Sequence, residues 1–198
     1  MCAENIFVDE LSIEPCHKTM TMTFQKGLNY LKGQNGSGKT MLLDYVAGIR
    51  NDQKQRISGN ENIVYINQNI FFADRLTGTD FVKFVYRLDN KSREREKFFE
   101  FTEKFDIDKK VDVKTLMEKQ WGLLSGGERK YLYSMVLLSL DREWYILDEP
   151  FAYLDTEKKE ILWKVIEAFA SKGKGVILTS HEEDSRINGS DIHVINLD

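Results

Sequence analysis

The sequence predicts an α/β fold in which a mostly parallel sheet is flanked by helices. Three observations support this prediction. Strand-like and helix-like segments alternate through the last third of the chain. A glycine-rich loop that begins at residue 33 joins a strand to a helix. A segment with only helical spacing lies between this loop and the alternating segments. Such alternation implies parallel strands connected by covering helices. The 198 residues suffice for one domain with a buried core.

Hydrophobic spacing predicts the individual elements. Residues 19–24 alternate between polar and apolar side chains, so Met20, Met22 and Phe24 share one face of a half-buried strand. Gly48 stands in the position typical of a helix end. The other predicted elements are strands at 28–32, 62–67, 144–147, 175–179 and 192–196, and helices at 41–47, 125–135 and 156–170.

A helical segment between Thr77 and Trp121 interrupts the alternation. Its apolar residues recur at helical spacing, and no strand pattern lies between them. The residues that define this spacing are Phe81, Phe84, Val85, Leu88, Phe98, Phe101 and Phe105. We therefore expect an all-helical insertion in the α/β fold.

Composition excludes several classes of protein. The net charge of −4 and the pI near 5.5 argue against a nucleic-acid partner. No apolar run approaches the roughly 20 residues that span a bilayer, and the first residues lack the basic and apolar regions of a signal peptide. We expect a cytoplasmic protein that reaches a membrane only through a partner.

The loop from Gly33 to Thr40 matches the Walker A pattern of phosphate-binding loops. Phosphates bind best where backbone N–H groups converge at the start of a helix, and glycines permit that wrap. In this pattern Lys39 reaches the β and γ phosphates and the Thr40 hydroxyl binds Mg²⁺. A simple glycine turn is the alternative, but the predicted strand before the loop and helix after it favour phosphate binding.

Two carboxylates follow the predicted buried strand at 144–147. Asp148 and Glu149 stand at its C-terminal end, where open α/β sheets place their ligands. Taken alone, this Asp-Glu pair before Pro150 would be typical of a helix start. The Walker A loop upstream favours the functional interpretation.

The sequence Leu-Ser-Gly-Gly-Glu at 124–128 precedes a predicted helix. Ser125 can cap this helix, with Glu128 three residues later completing a capping box. The N–H groups and the dipole of the same helix start also form an anion site. Capping and anion binding are compatible here.

Walker A, then this Leu-Ser-Gly-Gly-Glu motif, then a strand ending in Asp-Glu, in this order, resembles the ATP-binding cassette (ABC) ATPase family. The resemblance covers nearly the whole chain. It implies a P-loop NTPase fold with a small antiparallel β part, ATP and Mg²⁺ as cofactors, and one nucleotide-binding domain over 1–198. Within it, residues 1–70 and 122–198 would form the ATPase core, and about 71–121 the helical subdomain.

The resemblance also implies residue roles. Asp148, Thr40 and the Q-loop glutamine Gln68 would hold Mg²⁺, Glu149 would be the general base, and the switch histidine His181 would sense the γ-phosphate. Gln68 would also contact the attacking water, so it counts among the catalytic residues. The residues expected to bind ATP are Gly33, Gln34, Asn35, Gly36, Ser37, Gly38, Lys39, Thr40, Ser125, Gly126, Gly127 and, in the D-loop, Asp155. The motif at 124–128 would complete the site of a head-to-tail partner.

Two departures from the family stand out. The family places an aromatic residue on adenine in the loop after the first strand, but the corresponding stretch, 11–18, has none. His17 or Phe7 is a candidate substitute, and preference for ATP over GTP is open. The segment between Lys39 and Gln68 is short, so we expect trimmed antiparallel strands.

The resemblance implies the ATPase subunit of an ABC transporter, at the inner face of the cell membrane. It would pair with a second ABC subunit, as a homodimer or heterodimer, and dock on a separate transmembrane subunit. Phe71 and Phe72 suit the docking groove; alternatively, both pack into the helical subdomain. A soluble ABC ATPase, for example of the iron–sulfur assembly type, is the second hypothesis, and a small P-loop kinase the third. The transported substrate and its direction stay open.

Overall fold

The computed structural model of the chain describes residues 5–14, 18–50, 56–89, 94–180, 185–188 and 191–198. These residues form two compact units. The first comprises Met1–Asn67, Arg142–Pro150 and Ile166–Asp198, and the second comprises Gln68–Asp141 and Phe151–Val165. The strands lie in the first unit, and the helices between residues 78 and 138 lie in the second.

The strands and helices have the following bounds. The strands are β1 (Ile6–Ile13), β2 (Lys18–Phe24), β3 (Gly27–Lys32), β4 (Ile57–Ser58), β5 (Ile63–Ile66), β6 (Trp144–Leu147), β7 (Gly175–Leu178) and β8 (Ile192–Asn196). The helices are α1 (Lys39–Val46), α2 (Gly78–Leu88), α3 (Glu94–Phe105), α4 (Val113–Glu118), α5 (Gly126–Leu138) and α6 (Thr156–Ser171).

A five-stranded parallel sheet forms the centre of the first unit, with the strand order β5-β6-β7-β3-β8. Its central strands β6 and β7 are buried at every position, as expected for a parallel sheet covered on both faces. The predicted parallel α/β fold is confirmed. Because parallel strands end at the same edge, the residues that follow β3, β6 and β7 meet there.

A three-stranded antiparallel sheet with the order β2-β1-β4 completes this unit. Met20 and Phe24 are buried and Met22 is half-buried, which confirms the predicted face of β2. The apolar side chains of this sheet pack with Leu42 and Leu43 of α1 in one core cluster that also contains Trp144 and Ile177 of the parallel sheet. The short β4 agrees with the expected trimming.

Strands β1 and β2 correct the expected bounds of the loop after the first strand. Leu11–Ile13 belong to β1 rather than to a loop, and only residues 14–17 separate the strands. Phe7 pairs with Thr23, so it lies at the end of the two strands away from Ile13 and Lys18. Lys18, the first residue of β2, donates a hydrogen bond to the carbonyl of Leu197 next to the end of β3. Phe7 therefore lies away from Lys18, and its role in adenine stacking stays a prediction; His17 lies outside the described residues.

Helices occupy the segment for which the sequence predicts them. The Thr77 and Asp80 side chains form a capping box at the start of α2, and Asp112 caps α4. Phe81, Phe98 and Phe105 are buried. The predicted face of α2 is partly wrong, because Phe84 and Leu88 are 52% and 70% exposed, whereas Val82 and Tyr86 are buried in their place.

Candidate functional site

The glycine-rich loop directly follows β3 and leads into helix α1. Gly36 and Gly38 have φ angles of 82° and 97°, which residues with a Cβ rarely adopt. Gly38 is also the N-cap of α1, and it offers no side-chain oxygen to the N–H groups of the first turn. These N–H groups therefore suit an anion, as the Walker A pattern predicts.

Two side chains of the loop fit a phosphate ligand. Lys39 is buried, and its ammonium donates hydrogen bonds to the carbonyls of Gly33 at 2.6 Å and Gln34 at 3.0 Å. The hydroxyl of Ser37 is buried and has no hydrogen-bond partner among the described residues. A buried polar atom without a partner is costly unless a ligand or water satisfies it. The loop thus offers a cation and an unsatisfied hydroxyl in a cradle of backbone N–H groups.

Thr40 and Asp148 meet at the edge of the parallel sheet. The Thr40 hydroxyl donates to Oδ2 of Asp148 at 2.8 Å, although the two residues are 108 positions apart. Asp148 is 1% exposed and directly follows β6. A hydroxyl and a carboxylate are the oxygen ligands that Mg²⁺ takes beside substrate phosphates. Within the described residues no three His, Cys, Asp or Glu form a metal-binding group.

Glu149 lies next to this pair in a strained turn. Its φ angle is 49°, a left-handed conformation that is unfavourable for a residue with a side chain. The backbone N–H of Glu149 donates to the hydroxyl of Thr179 at 2.9 Å. Helix α6 begins only at Thr156, so the Asp-Glu-Pro segment is a turn and not a helix start. Glu149 is half-buried at the sheet edge.

Thr179 is a site residue that our sequence analysis missed. It follows β7, is fully buried, and donates its hydroxyl to Oδ1 of Asp148 at 2.7 Å. Both carboxylate oxygens of Asp148 thus accept a threonine hydroxyl. The only signal in the sequence is a polar residue that ends the apolar run 175–178, and such residues are common at strand ends.

The motif at 124–128 lies in the second unit, where Ser125 caps α5. The Ser125 hydroxyl accepts the Glu128 N–H at 3.1 Å, and Oε2 of Glu128 accepts the Ser125 N–H at 2.7 Å. Lys119 donates to Oε1 of Glu128 at 2.9 Å. The backbone hydrogen bond from Ser125, aided by Lys119, lowers the pKa of Glu128. The predicted capping box is confirmed, and the Ser125 N–H is engaged in it.

The two glycines of this motif differ in their surroundings. A Cβ on Gly126 would have no atom within 4 Å, whereas a Cβ on Gly127 would stand 2.4 Å from the backbone oxygen of Tyr153. Tyr153 is 85% exposed and has a φ angle of 67°. Packing therefore requires a glycine at 127 but leaves the space over Gly126 open.

Asp155 caps helix α6. One carboxylate oxygen accepts the Lys158 N–H at 3.0 Å, and the other pairs with the Lys158 ammonium. This side-chain hydrogen bond lowers the pKa of Asp155. The contact accounts for Asp155 as a cap, and a role toward nucleotide stays a prediction.

Two further residues of the predicted site are Gln68 and His181. Gln68 follows β5 by two residues, is exposed, and belongs to the second unit. His181 lies outside the described residues. Within the first unit the structure brings together the loop 33–40, Asp148 and Glu149, and within the second it brings Gly127 beside the segment before Asp155.

Known proteins are similar to this chain over most of its length. The family model described as ABC transporter matches residues 17–152. The chain is 28% identical over 193 residues to the cytochrome c biogenesis ATP-binding export protein CcmA of Haemophilus influenzae, covering 91% of this chain and 87% of that protein. It is 29% identical over 182 residues to the energy-coupling factor transporter ATP-binding protein EcfA1 of Thermotoga maritima, covering 83% and 66%.

Solved structures show the same fold. An ABC transporter ATP-binding protein from Pyrococcus furiosus superposes with a TM-score of 0.77 at 24% identity, covering 98% of this chain and 97% of that one. A bacterial ABC transporter cassette solved as a dimer superposes with a TM-score of 0.76 at 14% identity, covering 97% and 94%.

Proposed function

This chain belongs to the ABC transporter family of ATP-binding proteins, and we propose that it is the Mg²⁺-dependent ATPase subunit that powers a transporter. The observation that carries the proposal is the Thr40–Asp148 contact of 2.8 Å beside the phosphate-binding loop. It joins the two halves of a Walker site across 108 residues of chain. The proposed ATPase core is 1–70 with 122–198, and the proposed helical subdomain is about 71–121.

Lys39 is the proposed charged ligand of the ATP phosphates. Its ammonium is buried and bonded to the loop carbonyls of Gly33 and Gln34, so it is already directed into the cradle. A triphosphate in the cradle offers this cation charged oxygens, which form stronger hydrogen bonds than neutral carbonyls do. The N–H groups at the start of α1 and the Ser37 hydroxyl would bind the same phosphates.

Hydrolysis would take place at the edge of the parallel sheet. Thr40, Asp148 and Gln68 are the proposed Mg²⁺ ligands, directly or through water. The ion, when bound, would neutralise charge that develops on the β and γ phosphates. The Glu149 carboxylate is the proposed general base, which orients the attacking water and accepts its proton. His181 is the proposed γ-phosphate sensor.

Dimerisation is proposed because some of the predicted ATP-binding residues would bind the ATP of a second subunit. Ser125, Gly126, Gly127 and Asp155 belong to the second unit, and they are proposed to face the ATP of a head-to-tail partner. The space over Gly126 is open, as an approaching phosphate requires. ATP would then hold two subunits together, and hydrolysis would release them.

Docking on a separate membrane-spanning subunit is proposed to use Phe71. This side chain is 89% exposed and lies three residues after Gln68. Phe72 differs, because it packs against two other aromatic rings. Its ring centroid lies 5.0 Å from that of Phe81 and 5.4 Å from that of Trp121. The described part of the chain contains no helix that is long and apolar enough to cross a bilayer. Transport would therefore take place in the partner.

Two measurements test this function. Purified protein should hydrolyse ATP with Mg²⁺ and lose the activity in EDTA. A tagged protein should co-purify from detergent-solubilised membranes with a stoichiometric polytopic protein, identified by mass spectrometry. Hydrolysis with only soluble partners would favour the soluble ABC ATPase instead, and absence of hydrolysis would contradict both.

A further inference from the structure

The hydroxyl of Thr179 makes two hydrogen bonds, and both go to the residues proposed for hydrolysis. It donates to Oδ1 of Asp148 at 2.7 Å and accepts the backbone N–H of Glu149 at 2.9 Å. A threonine hydroxyl has one proton to donate, so the donation to Asp148 uses it completely. Thr179 thereby connects the end of β7 to both carboxylate residues that follow β6.

The bond between Thr179 and Asp148 is shielded from water. Thr179 is fully buried and Asp148 is 1% exposed, so water does not compete for either group. The backbone N–H of Thr179 also donates to the carbonyl of Leu147 at 3.0 Å, which continues the β6–β7 ladder up to the carboxylates. The hydroxyl is therefore held on a rigid element, and its direction is determined by the sheet.

The bond to Oδ1 determines which way the Asp148 carboxylate points. With Oδ1 bonded to Thr179, Oδ2 is directed to Thr40 at the start of α1. A carboxylate that binds a metal through one oxygen is commonly oriented by a hydrogen bond to the other oxygen. Thr179 thus presents Oδ2 toward the phosphate-binding loop.

The bond from the Glu149 N–H stabilises a strained backbone. A backbone at φ 49° is unfavourable for a residue with a side chain, and this conformation persists only where its surroundings hold it. The hydroxyl of Thr179 is one such constraint, because it accepts the N–H of the strained residue. Without this hydrogen bond, the conformation that places the Glu149 carboxylate at the sheet edge would be less stable.

We propose that Thr179 is a positioning residue of the hydrolysis site, which orients the Asp148 carboxylate and the Glu149 backbone through one hydroxyl. The proposal rests on the ATPase function proposed above. It requires the hydroxyl and not merely the β-branched shape. Thr179→Val keeps the shape and removes the hydroxyl, and Thr179→Ser keeps the hydroxyl and removes the methyl group, so the two variants separate these contributions.

Three quantities should be measured on wild type and both variants: ATP affinity in EDTA by calorimetry, Mn²⁺ affinity of the ATP complex by electron paramagnetic resonance, and steady-state kcat and KM. Thr179→Val should leave ATP affinity in EDTA within about twofold, because the phosphate loop is intact. Loss of a partner that orients a metal-binding carboxylate should weaken Mn²⁺ binding and lower kcat by roughly 10- to 100-fold. Thr179→Ser should restore most of both losses.

Equal Mn²⁺ affinity and kcat in Thr179→Val and wild type would overturn the proposal. So would a Thr179→Ser variant no better than Thr179→Val, since the methyl group would then be what matters. If Thr179→Val fails to fold, Thr179→Ala takes its place with the same expectations. A wild-type protein that neither binds nor hydrolyses ATP would overturn the proposed function as well.

Discussion

The backbone oxygen of Tyr153 lies against the α-carbon of Gly127, so close that a Cβ at 127 would stand 2.4 Å from it. The contact joins the start of α5 to the segment that precedes α6. Tyr153 itself has a φ angle of 67° and leaves its ring 85% exposed. A glycine at 127 thus serves packing, whereas the glycine before it does not.

The first prediction separates these two glycines. Gly127→Ala should destabilise the protein by about 1–3 kcal/mol, because backbone has to move to admit the methyl group. Gly126→Ala should change stability by no more than about 0.5 kcal/mol, since its methyl group meets no atom. Urea unfolding of both variants measures the difference.

The same pair tests the proposed dimer. The methyl group of Gly126→Ala occupies the space proposed for the partner's phosphate, so this folded variant should lose ATP-dependent dimerisation in light scattering. An undiminished dimer would remove Gly126 from the interface.

The second prediction concerns the two adjacent phenylalanines. Phe71→Ser should keep the fold and nucleotide binding but lose the membrane partner in co-purification, because its ring is exposed. Phe72→Ser should instead destabilise the second unit by roughly 3 kcal/mol, since it removes a ring that packs against Phe81 and Trp121. Partner binding that survives Phe71→Ser in a folded protein would refute the docking role.

The third prediction concerns pH and the capping box of α5. The pKa of Glu128 is lowered by the Ser125 N–H and by Lys119, so the ionised form is stabilised by folding. This contribution is fully present above the ordinary glutamate pKa of about 4.3 and is lost as the pH falls through the lower folded value. Glu128→Ala should cost about 1 kcal/mol at pH 7, and the difference from wild type should shrink toward pH 3.

Glu128→Gln serves as the matched control, because its amide oxygen can still accept the Ser125 N–H. Glu128→Gln should lose only the ion pair with Lys119. Its glutamine does not titrate, so position 128 should contribute little to the pH dependence of the free energy of unfolding. A wild-type advantage over Glu128→Ala that is unchanged between pH 7 and pH 3 would contradict the assignment.

The fourth prediction separates ATP binding from water activation. Glu149→Gln should reduce turnover at least 100-fold and retain an ATP-bound dimer, since the binding groups remain while the base is removed. Lys39→Ala should impair ATP binding itself, because it removes the buried cation of the loop. Turnover assays and calorimetry on both variants test this, and a Glu149→Gln enzyme with the wild-type rate would exclude Glu149 as the base.

The sequence by itself determined the order of the elements and the motifs that end them. Strand and helix periods are local properties, and for this reason the predicted bounds at 144–147 and 192–196 agree with β6 and β8. The glycine-rich loop and the capping box of Ser125 are local as well, since each is complete within eight residues.

Only the tertiary structure decided which distant residues meet. Strand order places β7 beside β6, which brings Thr179 to Asp148, and no local pattern encodes that order. The same holds for the exposed Phe84, which shares its helical spacing with buried Phe81. Periodicity defines a stripe on a helix, but the neighbouring elements determine how much of the stripe they cover. For this protein, the sequence determined which groups are available, and packing determined which of them act together.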